Sequence, residues 1–270
     1  MLNILYFHGF LGRPNDFQSV VISNTSSNPN PSTHNTVLVD YFHIPELNPT
    51  VPLLNWGQQF WQWYQHHYGQ APCVLVGYSL GGRLVLEALK NKQNPPDYNR
   101  SEDRAQGNGL KACIFIAAGF GMKSAGSDLQ LDPAIQSRRA NDHKWSEKFL
   151  SQKFSSVVNE WNQQSVFAGS QIEPERVESD YDRKLLSLAL TQWSQVEQEN
   201  SVEFLLQDPI PKLWVVGQND KKYFEQSQQL QASSNIENIV IPNSGHRVIL
   251  DQPQLLKQQI QLFLEKIHLL

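Results

Sequence analysis

Residues Val74–Leu89 read VLVGYSLGGRLVLEAL, and this stretch decides the fold. Its first part is a short β-branched apolar run, typical of a strand covered on both faces, and its last part has the apolar spacing of a helix. Between them, GYSLG at 77–81 matches the pattern G-x-S-x-G. A strand, a tight turn and a helix in this order predict a nucleophile elbow that exposes the Ser79 hydroxyl at the strand end. The alternative is a plain strand-turn-helix unit with incidental glycines.

Short apolar runs rich in β-branched residues recur along the 270-residue chain. The segments between most of them have helical periodicity, so we expect an α/β fold with a mostly parallel sheet of about six strands and helices on both faces. Each run is expected to form one strand: NILYF at 3–7, TVLVD at 36–40, PCVLVG at 72–77, KACIFIAAG at 111–119, PKLWVVG at 211–217 and ENIVI at 237–241.

Two apolar stripes predict helices that pack on this sheet. The first contains Trp56, Phe60, Trp63, Tyr64 and Tyr68. The second, near the end of the chain, contains Leu255, Leu256, Ile260, Phe263, Leu264 and Ile267.

The interval from Gly121 to Leu206 has helix-like segments and no convincing strand. We therefore predict one α/β core made of residues 1–120 and 207–270, with residues 121–206 inserted as a helical lid. The polar stretches at 23–35 and 94–109 are rich in Pro, Asn, Ser or Gly and are expected to be surface loops without chemistry.

Charge and composition favour a small-molecule partner. The chain has 22 basic and 26 acidic residues, a net charge of -4, and no long basic run, so we expect binding neither to nucleic acid nor to an anionic membrane. No targeting segment or membrane-length apolar stretch is visible, which predicts a soluble, cytoplasmic protein. Cys73 and Cys113 lie in apolar runs and are expected to be buried thiols. No metal-binding spacing occurs, and we expect no metal.

A serine hydroxyl needs a histidine to take its proton and a carboxylate to orient that histidine. PKLWVVGQND ends a predicted strand at Asp220, and IVIPNSGH places His246 after the last strand. Taken singly, Asp220 could be a turn-forming residue and His246 a loop histidine. Ser79, Asp220 and His246 nevertheless follow separate strands in the serine, acid, histidine order of the α/β-hydrolase fold, and this order predicts a catalytic triad.

An oxyanion hole would complete this machinery. Its usual donors are the backbone N–H after the nucleophile and one from the loop that follows an early strand. Here these are the N–H groups of Leu80 and of Phe10 in FHGFLG. We expect the neighbouring His8 to support that loop structurally.

Several segments together resemble the family of 2-succinyl-6-hydroxy-2,4-cyclohexadiene-1-carboxylate synthases of menaquinone and phylloquinone biosynthesis. The segments are FHGFLG, VGYSLGGR, RRANDHKWSEKFL, WNQQSVFA, GQNDKKYF and SGH. The likeness covers most of the chain, including the lid, where general hydrolases share little. It implies elimination of pyruvate from 2-succinyl-5-enolpyruvyl-6-hydroxy-3-cyclohexene-1-carboxylate, without hydrolysis and without an added cofactor.

A substrate with several carboxylates requires cations in its pocket, because burying unpaired anions is very costly. Arg83 lies one helical turn beyond Ser79, and only one of the adjacent lid residues Arg138 and Arg139 is expected to face inward. For each cation the alternative is a solvated surface charge, and for Trp145 it is the core of the lid. The candidate substrate-binding residues are Tyr78, Arg83, Arg138, Arg139, Trp145, Arg183 and Lys222.

Two other functions remain open at this point. A carboxylesterase or thioesterase would use the same triad and oxyanion hole through an acyl-enzyme, and only a cationic pocket separates it from the lyase. A non-catalytic relative that binds a ligand or a partner would not need an intact triad.

Overall fold

The computed structural model describes residues 1–22, 34–92, 109–123, 132–230 and 233–270. Six strands form one sheet in the order β2-β1-β3-β4-β5-β6, and all neighbouring strands are parallel. The predicted α/β fold is therefore confirmed, and each apolar run forms one strand. The strands are β1 Leu2–Phe7, β2 His34–Val39, β3 Cys73–Tyr78, β4 Leu110–Ile116, β5 Lys212–Gly217 and β6 Ile236–Ile241.

The two polar stretches predicted as loops fall mostly at 23–33 and 93–108, outside the described residues. One part of that prediction is wrong, because His34 and Asn35 already belong to β2, where they pair with Leu2 and Asn3 of β1.

Helices cover both faces of the sheet. Within the described ranges, none is long and apolar enough to cross a membrane. The helices are α1 Leu53–Tyr68, α2 Leu80–Lys90, α3 Pro133–Ser151, α4 Phe154–Asn162, α5 Arg183–Gln192, α6 Val202–Gln207, α7 Lys221–Ser227, α8 Val248–Asp251 and α9 Pro253–Lys266.

The core lies in two layers, one on each face of the sheet. Strands β1 and β3 are buried along their whole length, because successive side chains enter opposite layers. Leu5 and Phe7 join the layer that contains the α1 and α2 side chains, whereas Ile4 and Tyr6 join the layer that contains the α9 side chains. Continuous apolar runs are therefore required here, and an alternating pattern would leave polar groups buried.

Helix α1 packs with a broader face than its predicted stripe. Trp56, Phe60 and Tyr64 are buried as expected, but Trp63 is only half-buried. Trp61, which lies outside the predicted stripe, is buried and donates its indole N–H to the carbonyl of Ala88 at 2.8 Å. Tryptophan can be buried at such a position because its single polar group finds an acceptor.

The segment between β4 and β5 contains the three predicted helices, α3, α4 and α5, and α3 packs along α5. Hydrogen bonds join the two ends of this segment. The Ser201 N–H donates to the Phe120 carbonyl and the Asn200 N–H to the Lys123 carbonyl, both at 2.8 Å. Helix α6 then spans the predicted lid-core boundary at residues 206/207.

The order of the strands positions the site. From β1 the chain moves to β2 at one edge and then returns to β3 on the other side of β1. The connections diverge at this switch point, which leaves a crevice at the carboxyl ends of β1 and β3. The loop after β1 and the turn after β3 both open into this crevice.

Candidate active site

Ser79 lies in a strained turn between β3 and α2. Its backbone has φ 51° and ψ -109°, a conformation that residues with a side chain rarely adopt. The flanking glycines make the turn possible, because a Cβ at Gly81 would lie 2.1 Å from the Phe7 carbonyl oxygen and one at Gly77 would lie 2.5 Å from the Gly81 oxygen. The predicted elbow geometry is therefore present in the structure.

The three predicted triad residues meet at the carboxyl end of the sheet. Ser79 Oγ lies 3.0 Å from His246 Nε2, and His246 Nδ1 lies 2.7 Å from Asp220 Oδ2. Asp220 and His246 are both 3% exposed, which excludes water from the contact between them. With Nδ1 donating to the carboxylate, Nε2 is left as the acceptor for the serine proton.

The predicted oxyanion donors stand beside the serine. Phe10 and Leu80 both line the cavity that contains Ser79. Within the described part of the chain, neither backbone N–H donates a hydrogen bond to another protein group. Both N–H groups are free to bind an anionic oxygen, as an oxyanion hole requires.

The cavity above Ser79 has a volume of about 170 Å³. The core supplies the triad side of its wall, and α3, α5 and the residues after α4 supply the opposite side. The lining residues that lie between β4 and β5 in the chain include Arg138, Asn141, Asp142, Trp161, Gln164, Ser165, Val166, Phe167, Trp193, Ser194 and Gln195.

Arg83 brings a buried positive charge into this cavity. It follows Ser79 by one turn of α2, and its Nη1 finds no hydrogen-bond partner among the described residues. Burial and, to a smaller extent, the nearby charge of Arg138 lower the pKa of Arg83 to about 10, although Tyr223 and Asp142 act in the opposite direction. The guanidinium remains charged at neutral pH and has an N–H to offer an anion.

Arg138 is the arginine of the adjacent pair that faces the cavity. Its Nε lies 2.8 Å from Asp142 Oδ2, and Asp142 also accepts the Ser194 hydroxyl at 2.5 Å. Its Nη1 approaches Gln195 Oε1 at 3.5 Å. These contacts fix the direction of the guanidinium. Lys222 completes the cationic lining.

Three predicted substrate ligands do not reach the cavity, which corrects the interpretation of the sequence, and Arg139 is the member of the arginine pair that faces outward. Arg139 pairs with Glu197 at 3.0 Å on the surface. Arg183 donates its Nε to the Phe149 carbonyl at 2.6 Å and is used to join lid helices. The other two residues are aromatic: Trp145 packs in the lid core against Trp161, with ring centroids 5.0 Å apart, and Tyr78 lies behind His246 in a smaller cavity with Arg176 and Arg247.

Sequence reasoning missed several lining residues. Trp161, Gln164 and Phe167 belong to WNQQSVFA, which carried part of the resemblance without being assigned to the site. Tyr223, three residues after Asp220, belongs to GQNDKKYF, which also carried part of the resemblance without Tyr223 being assigned to the site, whereas Gln195 lies in none of the resembling segments. Neither the aromatic nor the amide side chain has a distinctive sequence pattern, so only the structure identifies them.

Residues 163–177, which we name the lid strap, cross the loop that carries His246. Asp251 Oδ1 accepts the backbone N–H groups of Gln171 at 2.9 Å and Ile172 at 3.2 Å, while Oδ2 accepts that of Gly245 at 2.9 Å. Arg247 adds further contacts: its Nη1 donates to the Ile172 carbonyl at 3.3 Å, and its guanidinium lies 4.1 Å from the ring centroid of Phe167. The cavity wall is thereby fixed to the histidine loop.

The comparison with known proteins agrees with this geometry. A profile of the alpha/beta hydrolase family matches residues 7–259. The chain belongs to the alpha/beta hydrolase family. In this family an elbow serine, an acid and a histidine in that order form the hydrolytic machinery, and no group of three or more His, Cys, Asp or Glu side chains suited to a metal ion occurs in the described ranges.

Two individual relatives show which members of the alpha/beta hydrolase family this chain resembles. A Haemophilus influenzae protein that carries the name 2-succinyl-6-hydroxy-2,4-cyclohexadiene-1-carboxylate synthase provisionally is 26% identical over 99% of both chains. The Salmonella arizonae protein of that name is 28% identical, over 66% of this chain and 63% of its own length. The expected resemblance to these synthases is confirmed.

Among solved structures of alpha/beta hydrolases, MenH from S. aureus aligns with a TM-score of 0.73 and 17% identity, over 98% of this chain and 94% of that one. At this identity the likeness describes the fold alone.

Proposed function

We propose that this alpha/beta hydrolase is a 2-succinyl-6-hydroxy-2,4-cyclohexadiene-1-carboxylate synthase, a lyase that eliminates pyruvate from 2-succinyl-5-enolpyruvyl-6-hydroxy-3-cyclohexene-1-carboxylate. One observation carries the proposal: Ser79 and His246 open into the same cavity as Arg83, a buried guanidinium whose Nη1 has no hydrogen-bond partner among the described residues. A pocket for a neutral ester has no use for such a charge. A substrate with several carboxylates does, because each buried carboxylate requires a cationic partner.

The triad would act as a base in this reaction. Asp220 holds the His246 ring so that Nε2 takes the Ser79 proton. The serine oxygen then removes the ring proton next to a carboxylate or conjugated carbonyl group. The electron pair of that C–H bond shifts into the ring, the bond to the enolpyruvyl oxygen breaks, and the released enolate of pyruvate becomes the ketone by taking up a proton on carbon. No acyl-enzyme is formed.

Negative charge builds up on the substrate as the proton leaves. The backbone N–H groups of Phe10 and Leu80 are free to hold this charge, and Arg83, Arg138 and Lys222 supply positive charge around it. We also propose that residues 121–206 act as the lid, since their helices supply the wall opposite Ser79 and would keep water out of the cavity.

Ser79→Ala tests the proposal directly. We expect the variant to lose pyruvate release by roughly 10³-fold or more, because the proposed mechanism assigns removal of the ring proton to the serine oxygen. Pyruvate is measured through lactate dehydrogenase on addition of the enolpyruvyl substrate. Ser151→Ala, at an exposed serine whose hydroxyl donates to the Glu147 carbonyl, is the matched control and should keep full activity.

The ester-cleaving alternative is tested in the same experiment with p-nitrophenyl acetate as the second substrate. Wild-type protein that hydrolyses the ester and releases no pyruvate would show a carboxylesterase. Pyruvate release retained in Ser79→Ala would remove the serine from the mechanism.

A further inference from the structure

Tyr223 forms part of the cavity wall next to the triad. Its ring centroid lies 4.7 Å from that of His246, and its backbone N–H points at Asp220 Oδ1 from 3.5 Å. The residue is 6% exposed, and it lines the same cavity as Ser79. The structure thus places a tyrosine hydroxyl inside the site, for which the mechanism above has no use.

The hydrogen of this hydroxyl is available to a ligand. Gln195 Nε2 donates to Tyr223 Oη at 3.2 Å, so the tyrosine oxygen is the acceptor in that bond. A phenol hydroxyl both accepts and donates, and its own hydrogen remains for a second bond. Among the residues that the structure describes, none accepts it.

The direction of the Gln195 amide is determined by its surroundings. Gln195 Oε1 faces Arg138 Nη1 at 3.5 Å, and because a guanidinium can only donate, the amide NH₂ must face Tyr223. Gly119, just beyond the end of β4, makes room for this arrangement, since a Cβ there would lie 2.7 Å from Gln195 Nε2. The Gln195 NH₂ group therefore donates its hydrogen bond to Tyr223 and not to Arg138, which makes the tyrosine oxygen the acceptor.

The two arginines and the tyrosine surround one space. Arg83 and Arg138 line the cavity with Tyr223, and both Arg138 and Tyr223 are close enough to Arg83 to act on its charge. Arg83 Nη1 lacks a partner among the described residues, as does the tyrosine hydrogen. A neutral O–H adds a donor to this group without adding repulsion between like charges.

We propose that the Tyr223 hydroxyl, oriented by Gln195, is a further substrate-binding group that donates a hydrogen bond to the carboxylate held by Arg83 and Arg138. Gln195 is then a positioning residue, because it acts through Tyr223. The identity of the substrate rests on the proposed function, whereas the carboxylate-binding role does not.

Tyr223→Phe removes only the hydroxyl oxygen. We expect the KM for the enolpyruvyl substrate to rise about tenfold, the value of one hydrogen bond to a charged group, while kcat changes less than about twofold. Tyr68→Phe, which removes the hydroxyl of a half-buried tyrosine on α1 away from the cavity, is the matched control and should change neither constant.

Gln195→Leu and Gly119→Ala test the orientation of the hydroxyl. Each should raise KM in the same direction by a smaller factor, and neither should raise it further in the Tyr223→Phe background, because the hydroxyl that they orient is already gone. A merely structural role predicts the opposite, with effects that add in the double variants.

Calorimetric titration with succinate separates this inference from the proposed function. Succinate should bind wild-type protein and bind Tyr223→Phe about tenfold more weakly. If wild type releases no pyruvate but this difference is found, the lyase proposal fails and the role of Tyr223 stands. Unchanged KM and succinate affinity in folded Tyr223→Phe, a fall in kcat alone, or no succinate binding to wild type would each overturn the role.

Discussion

At the scale of single residues, Arg83 shows a conflict between stability and function. Its guanidinium is buried, its Nη1 lacks a partner among the described residues, and burial lowers its pKa to about 10. Below about pH 10 the group is charged in both the folded and the unfolded chain, so the burial penalty is fully present at neutral pH. A protein retains such a destabilising charge at a site where a bound ligand supplies the missing partner.

Arg83→Met should therefore make the protein more stable and less active. We expect the free energy of unfolding to rise by about 1–3 kcal/mol and KM to rise by roughly 10²-fold. Urea unfolding at pH 7 and pyruvate-release kinetics measure the two effects. Arg139→Met is the matched control, because that arginine pairs with Glu197 at the surface and should change stability by less than about 1 kcal/mol. A less stable Arg83→Met with normal KM would contradict the argument.

At the scale of elements, the Asp251 carboxylate links the lid strap to the histidine loop. Asp251 accepts N–H groups from Gln171 and Ile172 in the strap and from Gly245 in the histidine loop. Because its two oxygens reach different segments, Asp251 joins one wall of the cavity to the residue that precedes His246. Loss of either contact should loosen both segments together.

Asp251→Asn retains the shape of the side chain but replaces one oxygen with a donor. We expect the free energy of unfolding to fall by about 1–3 kcal/mol, because a buried N–H loses its charged acceptor. Proteolysis within residues 163–177 should become faster, and KM should rise, since Phe167 moves with the strap. Glu265→Gln on the exposed part of α9 is the control. Protection of the strap equal to that of wild type would argue against this role for Asp251.

The sequence predicts elements better than it predicts the direction of single side chains. Buried parallel strands require continuous apolar runs and surface helices require stripes, so both types of element leave patterns that length and spacing reveal. The triad was predictable because each of its residues follows a separate strand. The role of Arg183 was not predictable. Its position on α5 does not show whether its guanidinium donates to carbonyls of the neighbouring helix or to the substrate.

The polar lining of the cavity shows the same limit. Gln195 follows α5 and Tyr223 lies on α7, so the two residues come from distant parts of the chain and meet only in the folded protein. Contacts of this kind depend on the tertiary arrangement, and neither residue type marks its role in a single sequence.

At the scale of the whole molecule, stability depends on pH through a buried histidine. His8 is 1% exposed, its ring stacks on Tyr41 with centroids 4.3 Å apart, and its Nδ1 lies 2.9 Å from the Gly9 carbonyl oxygen. Burial lowers the pKa of His8 to about 4, although the Gly9 carbonyl and Asp40 act in the opposite direction. The folded protein therefore holds this ring neutral where the unfolded chain would protonate it.

This difference fixes the sign of the pH dependence. Above about pH 6.5 the ring is neutral in both states, and its contribution to stability is complete. As the pH falls from 6.5 to 4 the unfolded chain takes up a proton that the folded protein excludes, so about 3 kcal/mol is lost at ~1.4 kcal/mol per unit. The free energy of unfolding of His8→Asn should fall correspondingly less between pH 6.5 and pH 4. Urea unfolding at several pH values measures both proteins, and parallel curves would contradict the assignment.

The strap contacts also bear on how such an enzyme can be altered. Arg247 and Asp251 follow His246 in the chain and hold the strap from the core side. The insertion therefore cannot be moved alone to another hydrolase. The new host would lack Arg247 and Asp251, the two residues that hold the strap beside His246. A change of substrate specificity in this fold therefore requires paired substitutions, one in the insertion and one in the loop that carries His246.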